Sequence, residues 1–415
     1  MEKQLKTDFK NILENSNFSK KEIEIKEKHL NKFIQNGLPN RKLESWKFSD
    51  ISQVIQKNIG DLSFYIDYSS KNEINKGLYI DELEHNKIVF INGKIENINF
   101  EQEEKNKIDI LDNLDFSEDL NSTNSLINLN NALTNKHFKI LVKKNYSLKK
   151  PLIIYHITNN KIKSKNVNLR LDFQLEENSC LKIIDLYKDT SEKNFINIFY
   201  NFEMKQNSIL KNFKIDKLEN KNIWYSYNNI NQEKDSISET FILSSGSDFL
   251  KNEINCNLNG KYSSAFINGV FDLKDNKHHE IKTNINHLID NTKSYQLIKC
   301  ILENQAKAVY QGKIFVNSNA QKTDGYQLSK AILLNEETEF NAKPELEIYA
   351  DDVKCSHGSA SGSLNENSIF YLMSRGLNYK QAKELLLSGF LLDVIEKITD
   401  LEIKKLVKKI IGIKE

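Results

Sequence analysis

From about residue 135 to about residue 350 the apolar residues recur at every second position, and this change of period excludes most folds. The clearest run is Val167, Leu169, Leu171, Phe173 and Leu175, alternating with Asn168, Arg170, Asp172 and Gln174. Successive side chains on a strand leave opposite faces, so this is a half-buried strand. Similar runs recur at 138–142, 152–157, 181–186, 196–202, 209–215, 237–243, 265–271, 295–302, 309–316 and 346–349. No helical pattern of roughly 10 to 15 residues separates them, which disfavours alternating strand–helix units. A sandwich, a barrel or a solenoid remains. Polar Asn, Lys and Asp corners bound the strands and suit a solenoid, although no strict repeat motif selects it.

Both ends of the chain read as helical. Phe9, Ile12 and Leu13 have helical spacing, and Ile23, Ile25, Leu30, Phe33 and Ile34 continue it until Gly37 and Pro39. Ile88–Ile91, Asn92-Gly93 and Lys94–Ile98 suggest a hairpin around a type I′ turn. After His357 the helical period returns. Ser363 and Glu366 fit a capping box, with Gly376 as the stop. Asn378 and Gln381 repeat the start signal, and Gly389 is expected to end that helix. A last helix carries Leu391, Val394, Ile395 and Ile398 and extends toward Ile411.

Composition narrows the function classes. The 59 Lys and Arg nearly balance the 57 Asp and Glu, so the basic excess of a nucleic-acid binder is missing. With 14 Gly and 3 Pro, flexible linkers are scarce and the units should dock. The abundance of Asn, Lys and Ile reads as coding bias rather than chemistry. Four cysteines, Cys180, Cys256, Cys300 and Cys355, are widely spaced without a C-x-x-C pair, so neither a closed metal site in one segment nor a disulfide framework is expected. Met1 to Asn15 is charged throughout and no apolar run approaches a membrane span, so a reducing cytoplasmic compartment is expected. No G-x-x-x-x-G-K-[ST] loop is present, so no ATP is expected to bind through one. A G-x-S-x-G elbow is also missing.

One segment concentrates the chemistry, from Lys343-Pro344-Glu345 through Asp351-Asp352-Val353-Lys354-Cys355-Ser356-His357-Gly358. Cys355 and His357 are two apart, so on an extended chain they leave the same face. A thiolate beside an imidazole suits iron or zinc. Two ligands do not close a site, so others must come from elsewhere or from a partner. The pair also fits a small buried thiol beside a hydrogen-bonded strand-end imidazole. His278, His279 and His287 read as solvated corner residues. Asp351 and Asp352 face opposite ways and make no catalytic dyad. Trp46, with Arg41, Glu44 and Lys47, reads as packing on the body or as a docking patch.

These residues carry a resemblance. Gln311-Gly312-Lys313-Ile314, Ala320–Asp324 and the segment Lys343–Gly358 resemble the SufB/SufD family of the SUF iron–sulfur cluster assembly machinery. Phe370-Tyr371-Leu372-Met373-Ser374-Arg375-Gly376 is similar to the family's F-Y-L-x-S-R-G segment. Arg41–Asp50 is similar to the R-x-E-x-W-K-[YF]-[ST]-D stretch of its SufD branch. Cys355-Ser356-His357-Gly358 also matches that branch, with Ser359-Ala360 departing conservatively from the usual Ala-Thr.

The resemblance implies a mainly β fold, a right-handed parallel β-helix flanked by α-helical domains. On that basis 1–130 is an N-terminal helical and mixed domain, 131–358 the β-helix core, and 359–415 a C-terminal helical domain for ATPase docking. It implies a non-catalytic scaffold that pairs with a SufB-like paralogue in a SufB–SufC₂–SufD complex, with a homodimer as the alternative when the paralogue is absent. A SufC-like ABC ATPase would dock through Phe370, Arg375, Leu386 and Phe390. A transient iron–sulfur cluster would form at the paralogue interface with His357 as a ligand and Cys355 beside it. Neither nucleic acid nor membrane is an expected partner. A β-helix carbohydrate-active enzyme and a free-standing structural solenoid are the competing readings.

Overall fold

The computed structural model describes residues 2–67, 77, 79–112, 122–189, 193–217 and 220–413. Three helices open the chain, α1 (Glu2–Glu14), α2 (Lys20–Asn36) and α3 (Ile51–Asn58). The expected hairpin forms from β1 (Asn86–Ile91) and β2 (Lys94–Asn99), paired antiparallel. Asn92 and Gly93 both have positive φ, 54° and 86°, as a type I′ turn requires. β3 (Ile108–Asp112) and the buried helix α4 (Ser125–Leu133) follow.

The chain then winds into a parallel β-solenoid, two strands to a turn. Turn one is β4 (His137–Val142) and β5 (Leu152–Thr158), and turn two is β6 (Asn166–Leu175) and β7 (Cys180–Asp189). β8 (Phe195–Met204), β9 (Ile209–Asp216), β10 (Asn220–Gln232) and β11 (Ile237–Ser244) form the next two turns. β12 (Ser247–Leu258), β13 (Ser264–Leu273), β14 (His278–His287) and β15 (Lys293–Leu302) form two more. β16 (Lys307–Val316), β17 (Thr323–Leu333), β18 (Glu339–Ile348) and β19 (Val353–Gly362) end the stack. Even-numbered strands from β4 to β18 lie in one sheet and odd-numbered strands from β5 to β19 in the other. Antiparallel additions close the first end, where β2 follows β1 beside β5 and β3 lies beside β4.

Three apolar layers hold this together. Between the sheets, inward residues such as Leu171, Phe173, Ile198, Phe202, Ile254 and Ile285 form a continuous core. The outer face of the even sheet, through Phe195, Ile223, Tyr225 and Phe249, packs on Leu5, Phe9, Phe33, Ile51 and Leu126 of the N-terminal helices. On the outer face of the odd sheet, Tyr155, Leu186, Phe213, Phe241 and Val270 pack on Leu391, Val394, Ile403 and Val407. Those last residues belong to α6 (Tyr379–Ile395) and α7 (Leu401–Ile411), which follow α5 (Glu366–Ser374). Strands covered on both faces read as apolar on both. Among the described residues, neither outer apolar layer includes a residue of β18 or β19.

A repeat does exist, and it lies in the corners. Asn178-Ser179, Asn207-Ser208, Asp235-Ser236, Tyr262-Ser263, Asn291-Thr292 and Lys322-Thr323 occupy equivalent positions between the two strands of successive turns. The first residue of each pair has φ between 56° and 64°. The hydroxyl of the second donates to the carbonyl three residues back, at 2.6–3.3 Å. The backbone N–H of five of the left-handed residues (178, 207, 235, 291 and 322) donates to a carbonyl on the next turn. Asn tolerates left-handed backbone because its short amide bonds locally.

Asn is also placed by ladders on the outer face of the even sheet. Asn229 donates to Asn201 at 2.8 Å and Asn255 to Asn229 at 2.9 Å. Asn257 donates to Asn231 at 2.8 Å and Asn286 to Asn257 at 2.8 Å. Stacked amides in parallel register satisfy one another. The coding-bias reading of Asn is therefore corrected.

Three local expectations also change. Asn365, not Ser363, caps α5, and its side chain accepts from Ser368 N at 3.2 Å. Gly389 lies inside α6, which continues through Leu391 and Val394 to Ile395 because that stripe packs on the sheet. The Asn378–Gln381 capping box forms as expected. His279 and His287 are not solvated corners. Both point into the solenoid from one strand, where His279 meets Ser244 at 2.7 Å and His287 bonds Thr292 and Ser294.

Candidate functional site

The uncovered end of the solenoid is made by β18 and β19, the terminal strands of their sheets. β18 pairs only with β16 and β19 only with β17 among the described strands, so each carries a free hydrogen-bonding edge. Pro344 lies on β18 opposite Gly312, and it has no N–H to lose at an edge. From Gly358 to Gly362 β19 holds only Gly, Ala and Ser, so its backbone is accessible.

Cys355 and His357 lie on β19, opposite Gly325 and Gln327. Cys355 packs against a small core of Ile314, Val316, Ala320 and Ala350, so it points to the inner side of the last turn. A side chain at Gly325 would put Cβ 3.4 Å from Cys355 Sγ and 3.4 Å from Ile314 Cγ2, and glycine leaves the thiol that room. Alternation puts His357 on the same side, two residues nearer the middle of the strand. His357 is exposed and Cys355 half-buried. Burial raises the Cys355 thiol above its usual range, with the Gly325 backbone N–H opposing. The resting group is therefore a thiol, and a metal that takes it must displace the proton. Among the described residues no three His, Cys, Asp or Glu side chains gather as a metal site.

Beneath the pair lies a polar interior that sequence reasoning passed over. Gln296, Tyr310 and Gln327 point inward and are buried. Tyr310 Oη lies 3.1 Å from Gln296 Oε1 and 3.3 Å from Gln327 Oε1. The only signal was polar residues at the inward parity of β15 and β17.

A second exposed region lies on the C-terminal helices. Phe370 is 73% exposed, and Tyr371, Met373, Tyr379 and Leu385 are also exposed, whereas α5 buries only Ile369. Arg375 is exposed, with its guanidinium 5.2 Å from the Tyr371 ring centroid. Leu386 is half-buried. Phe390 packs toward the solenoid, where Lys299 Nζ lies 4.5 Å from its ring centroid and donates to its carbonyl at 2.9 Å. Phe370 and Arg375 thus share an open surface that Phe390 does not.

Trp46 is packing. It is buried beneath Lys251, whose Nζ lies 4.1 Å from its ring centroid and bonds Ser45 O and Glu280. Glu44 pairs with Lys343 of β18 and ties this segment to the last turn. No helix among the described residues is long and apolar enough to cross a membrane.

The family model described as the SufBD core domain of SUF-system FeS cluster assembly matches residues 156–390. The chain is 27% identical over 394 residues to the iron–sulfur cluster assembly protein SufD of Escherichia coli K12, covering 93% of this chain and 91% of that one. It is 39% identical over 103 residues to a SufBD family protein of Synechocystis, covering 25% of this chain and 23% of that protein. It is 38% identical over 112 residues to the chloroplastic protein ABCI7 of Arabidopsis thaliana, covering 27% of this chain and 24% of that protein. The motifs on the last turn and the solenoid that displays them thus agree with the comparisons: the chain belongs to the SufB/SufD family of iron–sulfur cluster assembly proteins and is SufD-like.

Proposed function

We propose that this chain is the SufD-like scaffold subunit of a SUF assembly complex. Its last turn docks edge to edge on a longer SufB-like paralogue, and the nascent iron–sulfur cluster forms as cargo at that junction. His357 supplies one ligand, Cys355 lies beside it as a second, and the paralogue completes the set. The observation that carries this reading is the position of the pair on β19, a terminal strand with an unpaired edge. A solenoid end left open needs a cap or a partner, and a half-set of soft ligands needs the other half.

The exposed apolar surface of α5 and early α6 docks a SufC-like ABC ATPase, and ATP chemistry belongs to that partner. α6 is bonded to the solenoid, with Lys299 reaching Asp393 at 2.8 Å. Lys182 reaches Asp400, the N-cap of α7, at 2.6 Å. Motion of the docked ATPase therefore acts on the sheet whose last strand bears His357. Such coupling between two sites is reciprocal. Work in a cytoplasmic, reducing compartment belongs to the same proposal and suits four unbridged cysteines.

The test is His357→Ala in the co-expressed complex, reconstituted anaerobically with iron and sulfide. Assembly should persist while cluster yield drops. Full yield from that variant would remove the ligand role.

A further inference from the structure

We infer that Gln327 positions His357 for ligation by accepting a hydrogen bond from the imidazole nitrogen that does not bind iron. The inference rests on the reading of His357 as a ligand.

The register makes the two residues partners. Gln327 on β17 pairs with His357 on β19, so both side chains leave the inner face one strand spacing apart, roughly 4.8 Å. A metal-bound histidine characteristically donates its other ring N–H to an acceptor, which fixes the ring. Gln327 Oε1 is the acceptor that the register puts beside it. That oxygen has two lone pairs, and the Tyr310 hydroxyl at 3.3 Å uses one.

The rest of the network holds Gln327 in place. Its Nε2 reaches Glu345 O on the opposite sheet at 3.4 Å. Tyr310 has one hydroxyl hydrogen but two amide oxygens in range, those of Gln327 and Gln296. Gln296 Nε2 is buried without a hydrogen-bond partner among the described residues. Turning the Gln296 amide over, an assignment made on hydrogen bonding alone, removes the competition for the hydroxyl hydrogen and exchanges the unpartnered amide N–H₂ for an unpartnered carbonyl oxygen. Gln296 then donates to the phenol oxygen, and the phenol donates to Gln327. Burial raises the Tyr310 phenol well above its usual range, so it stays a donor.

Gly312 leaves room for the Tyr310–Gln327 pair. A Cβ at Gly312 would collide with Gln327 Oε1 and with the Tyr310 hydroxyl. Earlier turns have a mostly apolar interior, and the polar groups they do hold inside, such as Lys214 with Asp185 and His287 with Thr292 and Ser294, are likewise hydrogen-bonded. A buried Gln–Tyr–Gln set costs more than an apolar filling unless its polarity is used.

The test uses the full chain in complex with its paralogue and ATPase, loaded anaerobically with ferrous iron and sulfide. Gln327→Leu removes the acceptor at similar volume, and Gln327→Glu keeps it. Gln327→Leu should leave assembly intact, lower cluster yield roughly tenfold or more, and change the imidazole-nitrogen hyperfine coupling of the reduced cluster. Gln327→Glu should restore most of the yield. In a His357→Ala background, Gln327→Leu should cost nothing further. Tyr310→Phe, a second route if Gln327→Leu folds poorly, should give a smaller loss in the same direction. Normal yield and coupling in Gln327→Leu, beside a loss in His357→Ala, would overturn this inference alone. An equal further loss in the His357→Ala background would also overturn it, as a purely structural effect. Full yield in His357→Ala would overturn the ligand reading and this inference with it.

Discussion

Lys214 Nζ lies 2.8 Å from Asp185 Oδ2 inside the solenoid, with both side chains almost wholly out of water. His156 and Tyr200 complete the cluster at 3.2 Å and 2.7 Å from Asp185 Oδ1. Burial opposes the Asp185 charge, but Lys214 and His156 outweigh it and hold the carboxyl at about 2. Removing one partner strands a buried charge at a cost of about 3–5 kcal/mol. Asp185→Asn or Lys214→Met should therefore lower the denaturant midpoint sharply. The double change Asp185→Leu with Lys214→Met should recover much of the loss.

Acid should weaken the fold before most carboxylates titrate. Burial lowers His279 to about 3 and His287 to about 4, so both are neutral in the folded state well below 6.5. The unfolded chain binds those protons first. Their stabilisation is complete above pH 6.5 and is lost as pH falls toward 4 and 3. Asp216 acts oppositely, because burial raises it to about 6 and its cost is relieved as pH falls from 6 toward 3.8. Two histidines outweigh one carboxyl, so stability should decline with acidification. His287→Gln should flatten the curve by about 1.4 kcal/mol per pH unit between 6.5 and 4, checked by urea unfolding across pH.

The corner repeat predicts a contrast at one residue. Asn207 has φ 57° and donates to Asn178 at 3.0 Å. Asn207→Ala should cost about 1–2 kcal/mol through the left-handed backbone. Asn207→Gly keeps that backbone accessible and should cost less. Thermal unfolding of the two variants checks the order.

The C-terminal helices predict a separation of binding from folding. Phe370→Asp changes an exposed side chain and should leave stability within about 0.5 kcal/mol, while weakening retention of the ATPase on co-elution. Phe390→Ala should lower stability by about 1–3 kcal/mol, since that ring packs toward the sheet beneath Lys299. Equal retention of the ATPase by Phe370→Asp and wild type would reject the α5 docking surface.

Much of the solenoid was legible because strands such as β6 alternate cleanly. Strands β10, β12, β14 and β17 were harder to see. Their outer faces carry Asn, Glu, Lys and Tyr, and β10 reads N-K-N-I-W-Y-S-Y-N-N-I-N-Q without a simple alternation. The repeat has no fixed residue motif, because it is a backbone conformation followed by a hydroxyl. Asn, Asp, Tyr and Lys all fill the left-handed position, and Ser or Thr follows. Gly389 misled because packing against the sheet outweighs a helix propensity cost of about 1 kcal/mol. At the site, the spacing of Cys355 and His357 was enough to put them on one face. Gln327 and Tyr310 are distant in sequence: the β17–β19 register brings Gln327 beside His357, and Tyr310 reaches Gln327 from the opposite sheet at 3.3 Å.

The proposed pairing surface is the open edge of the last turn. The most direct measurement is anaerobic affinity capture of the tagged chain from its own host, with partners identified by mass spectrometry. Wild type should be compared with Ser359→Lys, which puts an inward charge on exposed β19. Wild type should recover a longer paralogue and an ABC-type ATPase together, and Ser359→Lys should lose the paralogue while retaining the ATPase. A wild-type chain recovered alone, or a Ser359→Lys chain that keeps the paralogue, would contradict the account.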